Sequence, residues 1–233
     1  RSTSSAASDV YKRQCVDSAV TLGACIYSFD WKEEDWNHLS GGSLAGHIIE
    51  CGTQSTGGNF TDWELISDQI DTMGYPIVEI FKDSSFNCMK SNNTGGLVSV
   101  GTISEQLVYE IGDPQAYILP DVVCDFSQVK ISQINKDTVK VSGAIGYPST
   151  NQYKVSMTYS EGLRGGHLMS FVGIDAGKKA KAYGEAIFKR SRDILKKINM
   201  PDFTETSIEV LGDQSQYSKK DKNFSSREVI LKY

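Results

Sequence analysis

Apolar and polar positions divide the chain into a helical first part and a strand-rich second part. Apolar residues recur at helical spacing over residues 17–29, where Val20, Ala24 and Tyr27 share one predicted face, and again over residues 102–111. Asp17 is the predicted N-cap of the first helix. The first part is therefore predicted to hold helices joined by glycine-rich loops.

Alternation of apolar and polar residues predicts strands, most of them in the second part. The predicted strands cover residues 76–81, 86–90, 122–125, 129–134, 138–142, 153–159, 168–174 and 207–211. The first two form a hairpin because only a short polar spacer separates them. A polar, lysine-rich run over residues 214–226 predicts a loop.

A long amphipathic helix over residues 177–198 is predicted to cover the strand-rich part. Its apolar stripe consists of Ala180, Tyr183, Ile187, Ile194 and Ile198. This mixture favours an α/β fold, with a mixed α+β fold as the alternative. A soft boundary near residue 116 would separate a sub-lobe of residues 15–116 from a sub-lobe of residues 117–233.

Glycines are concentrated over residues 40–63, a stretch that also carries much of the candidate chemistry. Gly41 and Gly42 predict a tight turn. Ser43 would then cap a short helix that ends near Cys51. Side chains three positions apart on such a helix lie on one face.

His47 and Glu50 have this spacing and form a candidate catalytic pair, in which Glu50 would orient the imidazole as a general base. The alternative is a structural histidine that is hydrogen-bonded inside the core. Cys51 has the wrong helical phase to contact His47, and it is either a thiol nucleophile or a small buried residue. No metal site is predicted, because the pair lacks the second histidine of the common helical zinc motif.

Two loops of similar sequence, residues 56–59 and residues 94–96, each contain Thr-Gly-Gly. Their backbone N–H groups could bind a phosphate or a thioester oxyanion, or the glycines could simply allow tight turns. Polar side chains near them would hold polar groups of a substrate. The candidate substrate-binding residues are Gly57, Gly58, Asn59, Asp62, Thr94, Gly95, Gly96 and Glu105.

The chain resembles the acyclic terpene utilisation family, formerly a domain of unknown function. The resemblance rests on four runs in the same order, which cover residues 46–63, 75–79, 94–114 and 119–129. It extends from about Val16 to the C-terminus. Asp17 matches an aspartate of the family and either binds ligand or caps its helix. Glu105 lies inside the third run, which makes it a candidate rather than an ordinary helix-surface carboxylate.

Membership in this family implies a role in the breakdown of citronellol- and geraniol-type isoprenoids through branched acyl-CoA thioesters. One hypothesis is an enzyme or enzyme component with acid–base chemistry of the lyase or hydratase type. CoA would then enter as part of the substrate, and no separate cofactor is predicted. The alternative is a non-catalytic binding or assembly partner of an acyl-CoA carboxylase in the same pathway.

Composition narrows the possible partners and the compartment. The net charge of −5, without a basic patch, argues against nucleic acid. No apolar run has the roughly 20 residues that cross a bilayer. Five scattered cysteines without a CxxC pair predict reduced thiols in the cytoplasm, or in the mitochondrial matrix of a eukaryote.

The two ends are predicted to be unnatural. Residues 1–14 resemble a translated sequencing adapter and are left out of the fold prediction as an artefact. Residues 15–233 would be a fragment of one acyclic terpene utilisation-like domain, because residues 228–233 resemble a strand interrupted in mid-course.

Overall fold

The computed structural model describes residues 16–152, 157–216 and 226–233. The predicted artefact at residues 1–14, most of the predicted loop over 214–226 and half of the predicted strand at 153–159 therefore lie outside the described residues. The described part of that strand, residues 157–159, has no regular secondary structure. Among the described residues, none of the helices has both the length and the apolar composition that a bilayer crossing requires.

The chain divides into two compact units, one up to Met157 and the other from Thr158 onward. This division comes later than the predicted boundary near residue 116. The reason is a four-stranded sheet in the first unit that pairs residues 86–89 with residues 138–141, so that strands on both sides of residue 116 share one sheet. The predicted mixture of helices and strands is confirmed in its α+β form, since every strand pairing in the three sheets is antiparallel.

The first unit contains three α-helices, two 3₁₀ helices and seven strands among its described residues. The helices are α1 (Ala19–Phe29), α2 (Trp36–Glu50), the 3₁₀ helices Gly52–Thr56 and Trp63–Thr72, and α3 (Val100–Val108). The strands are β1 (Pro76–Ile80), β2 (Phe86–Lys90), β3 (Tyr117–Ile118), β4 (Val122–Asp125), β5 (Lys130–Asn135), β6 (Thr138–Ser142) and β7 (Ile145–Pro148). They form two sheets, with strand orders β1-β2-β6-β5 and β3-β4-β7.

The described residues of the second unit form a three-stranded sheet and one long helix. Its elements are β8 (Leu168–Val172), α4 (Ala176–Lys197), β9 (Glu209–Leu211) and β10 (Glu228–Lys232), and the sheet order is β8-β10-β9. The fully buried residues of α4 all lie in its first half, between Ala176 and Gly184. The predicted stripe is therefore only partly buried, since Ala180 is in the core while Ile194 and Ile198 in the last turns are exposed.

Helix α2 lies at the centre of the first unit, and all of its residues from Leu39 to Ile48 are buried. It packs against α1, α3, β1, β4 and β7. The predicted turn at Gly41 and Gly42 is wrong, and so is the cap at Ser43, because the helix runs through all three positions. These glycines serve close packing instead: a Cβ atom on Gly41 would lie 2.6 Å from Ser84.

Helix α1 packs on α2 through a face other than the predicted one. Leu22 and Cys25 are buried, whereas Val20 and Tyr27 of the predicted face are 56% and 90% exposed. Small residues on α2 allow the two helices to approach closely. At Gly46, for example, an added Cβ atom would lie only 2.7 Å from Ser18. Ser18 also occupies the N-cap position that was predicted for Asp17.

We predict that Gly46→Ala destabilises the fold by about 1–3 kcal/mol, because the added methyl group would overlap the Ser18 backbone as well as its side chain. Urea unfolding of purified protein measures this change. Gly23→Ala in α1 is the matched control: nothing lies within 4 Å of its Cβ position, so it should be stabilising by about 0.5–1 kcal/mol. Equal stability of the two variants would show that α1 does not pack on α2 in this way.

Candidate functional site

His47 and Glu50 form a buried pair in the last turn of α2. Their spacing places them on one face, as predicted, and Nδ1 of His47 lies 2.8 Å from Oε1 of Glu50. The two side chains are only 4% and 8% exposed. The C-terminal end of a helix favours positive charge, so a carboxylate there is in an unfavourable position. The contact with the imidazole offsets this disadvantage for Glu50.

Helix α3 binds the other side of His47. Nε2 of His47 lies 2.9 Å from the backbone oxygen of Gln106, and the side-chain amide of Gln106 donates to the backbone oxygen of His47 over 2.8 Å. A carbonyl oxygen only accepts, so Nε2 must donate. The contact between His47 and Glu50 then needs a second proton, carried by the ring or by the carboxyl group. In either arrangement the pair holds one proton between Nδ1 and Oε1.

Two buried acceptors near this pair have no hydrogen-bond partner among the described residues. They are Oε2 of Glu50 and Oε1 of Gln106. Leaving a buried polar atom unpaired costs about 1–3 kcal/mol, and more for a charged group. Such atoms are expected where a protein meets the donor group of a ligand or of a bound water molecule.

Tyr117 and Cys51 are the partly exposed neighbours of the pair. The Tyr117 ring, on β3, lies 6.2 Å from the His47 ring. Burial, followed by the negative charge of Glu50, raises the pKa of Tyr117 and keeps its hydroxyl group protonated. Burial also raises the pKa of Cys51, against the effect of a hydrogen bond with the Gln106 side chain. This environment disfavours the thiolate that a nucleophilic Cys51 would need.

The two Thr-Gly-Gly loops lie together, with the segment around Gly74 beside them. The N–H group of Leu97 donates to the Thr56 oxygen over 2.9 Å, and the Thr56 hydroxyl group donates to the Gly74 oxygen over 2.6 Å. The N–H group of Gly74 in turn donates to the Gly95 oxygen over 3.1 Å. Loops that are distant in sequence are therefore joined through their backbones.

Three of the four glycine N–H groups in these loops, which were candidates for anion binding, already donate to carbonyl oxygens. Gly57, Gly58 and Gly95 donate to Gln54, Thr53 and Thr72 respectively. The glycines are also needed for close approach, since Gly96 has a φ of +90° and its Cβ position lies 2.6 Å from the Thr56 oxygen. For these groups the geometry matches the tight-turn alternative, and a role in substrate binding stays a prediction.

The polar candidates beside the loops have different surroundings. Asn59 and Asp62 are exposed, while Thr94 is half-buried and its hydroxyl group donates to the Ser91 oxygen. Both carboxylate oxygens of Glu105 lie 3.2 Å from the Thr61 backbone nitrogen. Glu105 thus connects α3 with the segment that follows the first loop. Among the described residues, no hydrogen bond joins the His47–Glu50 pair to either loop.

A pocket of about 240 Å³ lies in another part of the first unit. It is lined by Ile26, Trp31, Lys32, Glu33, Trp36, Leu39, Pro120, Asp121 and Ser149. None of these residues belongs to either Thr-Gly-Gly loop or to the pair. Within the described ranges, no three histidine, cysteine, aspartate or glutamate side chains are grouped so that they could hold a metal ion.

Comparison with known proteins identifies the family. The family described as acyclic terpene utilisation family protein AtuA matches residues 13–233, nearly the whole chain. The chain belongs to this family. No match was found among curated proteins or among solved structures. The resemblance seen in the sequence is thus confirmed at the level of the family, and the protein is related to terpene utilisation.

The sequence pointed to His47 and Glu50 but not to Gln106 or Tyr117. One signal for Gln106 was present in the sequence. Gln106 and Leu107 follow Ile103 by three and four positions, so the three residues lie on the same face of α3. Ile103 and Gln106 are fully buried and Leu107 is nearly so. A polar residue within an apolar stripe has to find a buried partner, and here that partner is His47.

We predict that Cys51 is alkylated before Cys88 and Cys124 in the native protein. Burial raises the pKa of Cys88 to about 12 and that of Cys124 to about 11, and both side chains are buried, whereas Cys51 is partly exposed. Because its own pKa is raised, labelling of Cys51 should increase as the pH rises past about 9. Iodoacetamide labelling followed by peptide mass spectrometry measures the order. Urea-unfolded protein, in which all three thiols should react alike, is the control, and faster native labelling of Cys88 would contradict the burial described.

Proposed function

We propose that this member of the acyclic terpene utilisation family is an enzyme, or the subunit of an enzyme, that acts on branched acyl-CoA thioesters in isoprenoid breakdown. Glu50 would take a proton from the substrate or return it, and His47 would share this proton with Glu50. The chemistry would be of the lyase or hydratase type, in which a proton is removed beside the thioester carbonyl or returned there.

One observation carries this proposal: one oxygen of the Glu50 carboxyl group contacts the imidazole, and the other is buried without a hydrogen-bond partner among the described residues. An acid–base group needs a free oxygen for the substrate and a partner that stabilises both of its protonation states. His47 is such a partner, because one proton already lies between the two side chains. Tyr117, whose ring lies 6.2 Å from the His47 ring and whose raised pKa keeps it protonated, supports the proposal as a donor for a substrate oxygen.

The loops would bind the rest of the substrate in this proposal. Because the N–H groups of Gly57, Gly58 and Gly95 are occupied, the exposed side chains of Asn59 and Asp62 are the better candidates for polar contacts with the CoA portion. CoA would enter as part of the substrate. An intracellular location is proposed with it, since CoA thioesters are intracellular metabolites.

A second candidate function is a non-catalytic partner of an acyl-CoA carboxylase. It is favoured by a specific observation: both ring nitrogens of His47 contact protein oxygens, as expected of a structural histidine. The packing of the loop glycines against backbone atoms agrees with this candidate as well. The two functions differ in the role of Glu50. A purely structural role does not explain why its Oε2 atom is buried without a hydrogen-bond partner among the described residues.

We expect Glu50→Gln to lower turnover of branched isoprenoid CoA thioesters by about 10²–10⁴-fold, the usual contribution of a general acid–base group. The full-length protein is incubated with isohexenylglutaryl-type CoA thioesters, and products are measured by mass spectrometry. Glu79→Gln is the matched control, because Glu79 is an exposed carboxylate on β1 outside the site. His47→Ala is measured beside them and should also lose activity.

The outcome distinguishes the two functions. Turnover that is the same in wild type, Glu50→Gln and His47→Ala would remove the acid–base assignment. If the wild-type protein turns over no thioester but co-purifies with a biotin-dependent acyl-CoA carboxylase and raises its activity, the second candidate is correct.

A further inference from the structure

Gln106 is a fully buried amide on the face of α3 that also buries Thr102, Ile103 and Leu107. Burying an amide requires hydrogen bonds to compensate for lost water, and an apolar residue of similar size would pack there without this requirement. The polar side chain therefore calls for an explanation in terms of what it contacts.

Gln106 and His47 bind each other in both directions. The imidazole Nε2 donates to the backbone oxygen of Gln106, and the Gln106 amide donates to the backbone oxygen of His47. The first bond fixes the rotation of the imidazole, and the second fixes the α2 backbone from which the imidazole extends. Together they direct Nδ1 towards Glu50, at 2.8 Å.

The Gln106 side chain donates its hydrogen bond to the His47 backbone oxygen. It also acts on Cys51, the residue that follows Glu50, where it lowers the pKa of the thiol against the larger effect of burial. Its Oε1 atom is buried and, like Oε2 of Glu50, has no partner among the described residues.

We infer that Gln106 is a positioning residue that sets the direction of the His47 ring and thereby the proton shared with Glu50. This inference deepens the proposed function and rests on it for its catalytic meaning. Among the described residues, the other ionisable groups around the pair include Cys51 and Asp17, Tyr117 on β3, Cys124 on β4, and Tyr109 and Glu110 after α3. None of these is hydrogen-bonded to the imidazole, so the hydrogen bonds that direct the ring are those to Gln106 and Glu50.

The test is ¹⁵N NMR of the full chain with labelled histidine, in wild type and in Gln106→Met. Methionine matches glutamine in length and has no amide. In wild type, the proton on Nε2 of His47 should exchange slowly with water, and its ring signals should differ from those of His38 and His167. Gln106→Met keeps the backbone oxygen that accepts from Nε2 but removes the amide bond that holds the His47 backbone against α3. The Nε2 proton should therefore exchange about tenfold faster or more, and the Nδ1 signal should move, because the bond from the ring to α3 opens more often.

Gln133→Met is the matched control. Gln133 also donates its amide to a backbone oxygen, that of Val98 in the loop before α3, but it does not contact His47. It should leave the His47 signals unchanged. A His47→Gln variant assigns the signals.

Gln106→Glu tests the same point by a second route. A protonated glutamic acid can donate to the His47 backbone oxygen, whereas a carboxylate cannot. The His47 signals should therefore resemble wild type at low pH and the Gln106→Met variant at high pH. This variant also decides the question if Gln106→Met does not fold.

The inference is overturned if the proton exchange rate and the chemical shifts of His47 are unchanged in folded Gln106→Met. It is also overturned if they are unchanged in Gln106→Glu across the whole pH range. In either case Gln106 is only a packing residue. The NMR readout does not depend on turnover. A failure of the proposed function would appear in the Glu50→Gln assay instead, so the two failures are distinguishable.

Discussion

The first unit depends on the burial of helix α2 from Leu39 to Ile48. A stretch of helix that is buried on all sides must let its neighbours approach closely on every side, and it favours few ionisable side chains, each with a partner inside the protein. Gly41, Gly42 and Gly46 meet the first demand, because Ser84, Trp31 and Ser18 lie where their Cβ atoms would be. The remaining elements of the unit surround this helix and contribute the apolar core around it.

The second demand explains where the candidate chemistry lies. Most of the buried α2 residues are apolar or small, and its ionisable groups are confined to the ends. At the C-terminal end His47 and Glu50 pair with each other, and α3 completes the arrangement through Gln106. Here the buried interior also meets the partly exposed Cys51 and Tyr117. Burial thus leaves the ionisable groups of α2 at its ends, and the buried pair at the C-terminal end lies beside these two partly exposed residues.

Structural features that depend on residues close together in the sequence were predicted, and those that depend on residues far apart in the sequence were missed. The shared face of His47 and Glu50 follows from a spacing of three residues, and it was predicted. The hydrogen bond between His47 and Gln106 joins residues that are 59 positions apart, and no local sequence pattern reveals it. The glycine pair at Gly41 was mistaken for a turn because a glycine that allows a bend and one that allows close packing look the same in a sequence. The buried face of α1 was misassigned for a related reason: small residues on α2 decided it.

The two Thr-Gly-Gly loops and the Gly74 segment are joined mainly by backbone hydrogen bonds, with one from the Thr56 hydroxyl group. Main-chain hydrogen bonds do not depend on residue type, so mutation can alter Asn59 and Asp62 without dismantling the framework that carries them. The glycines are constrained by their backbone angles and by the lack of room for a methyl group, and Thr56 is constrained by its hydroxyl bond to the Gly74 oxygen. An architecture of this kind separates what must stay constant from what is free to diversify, and it would let related proteins adapt to different molecules during evolution while keeping one scaffold.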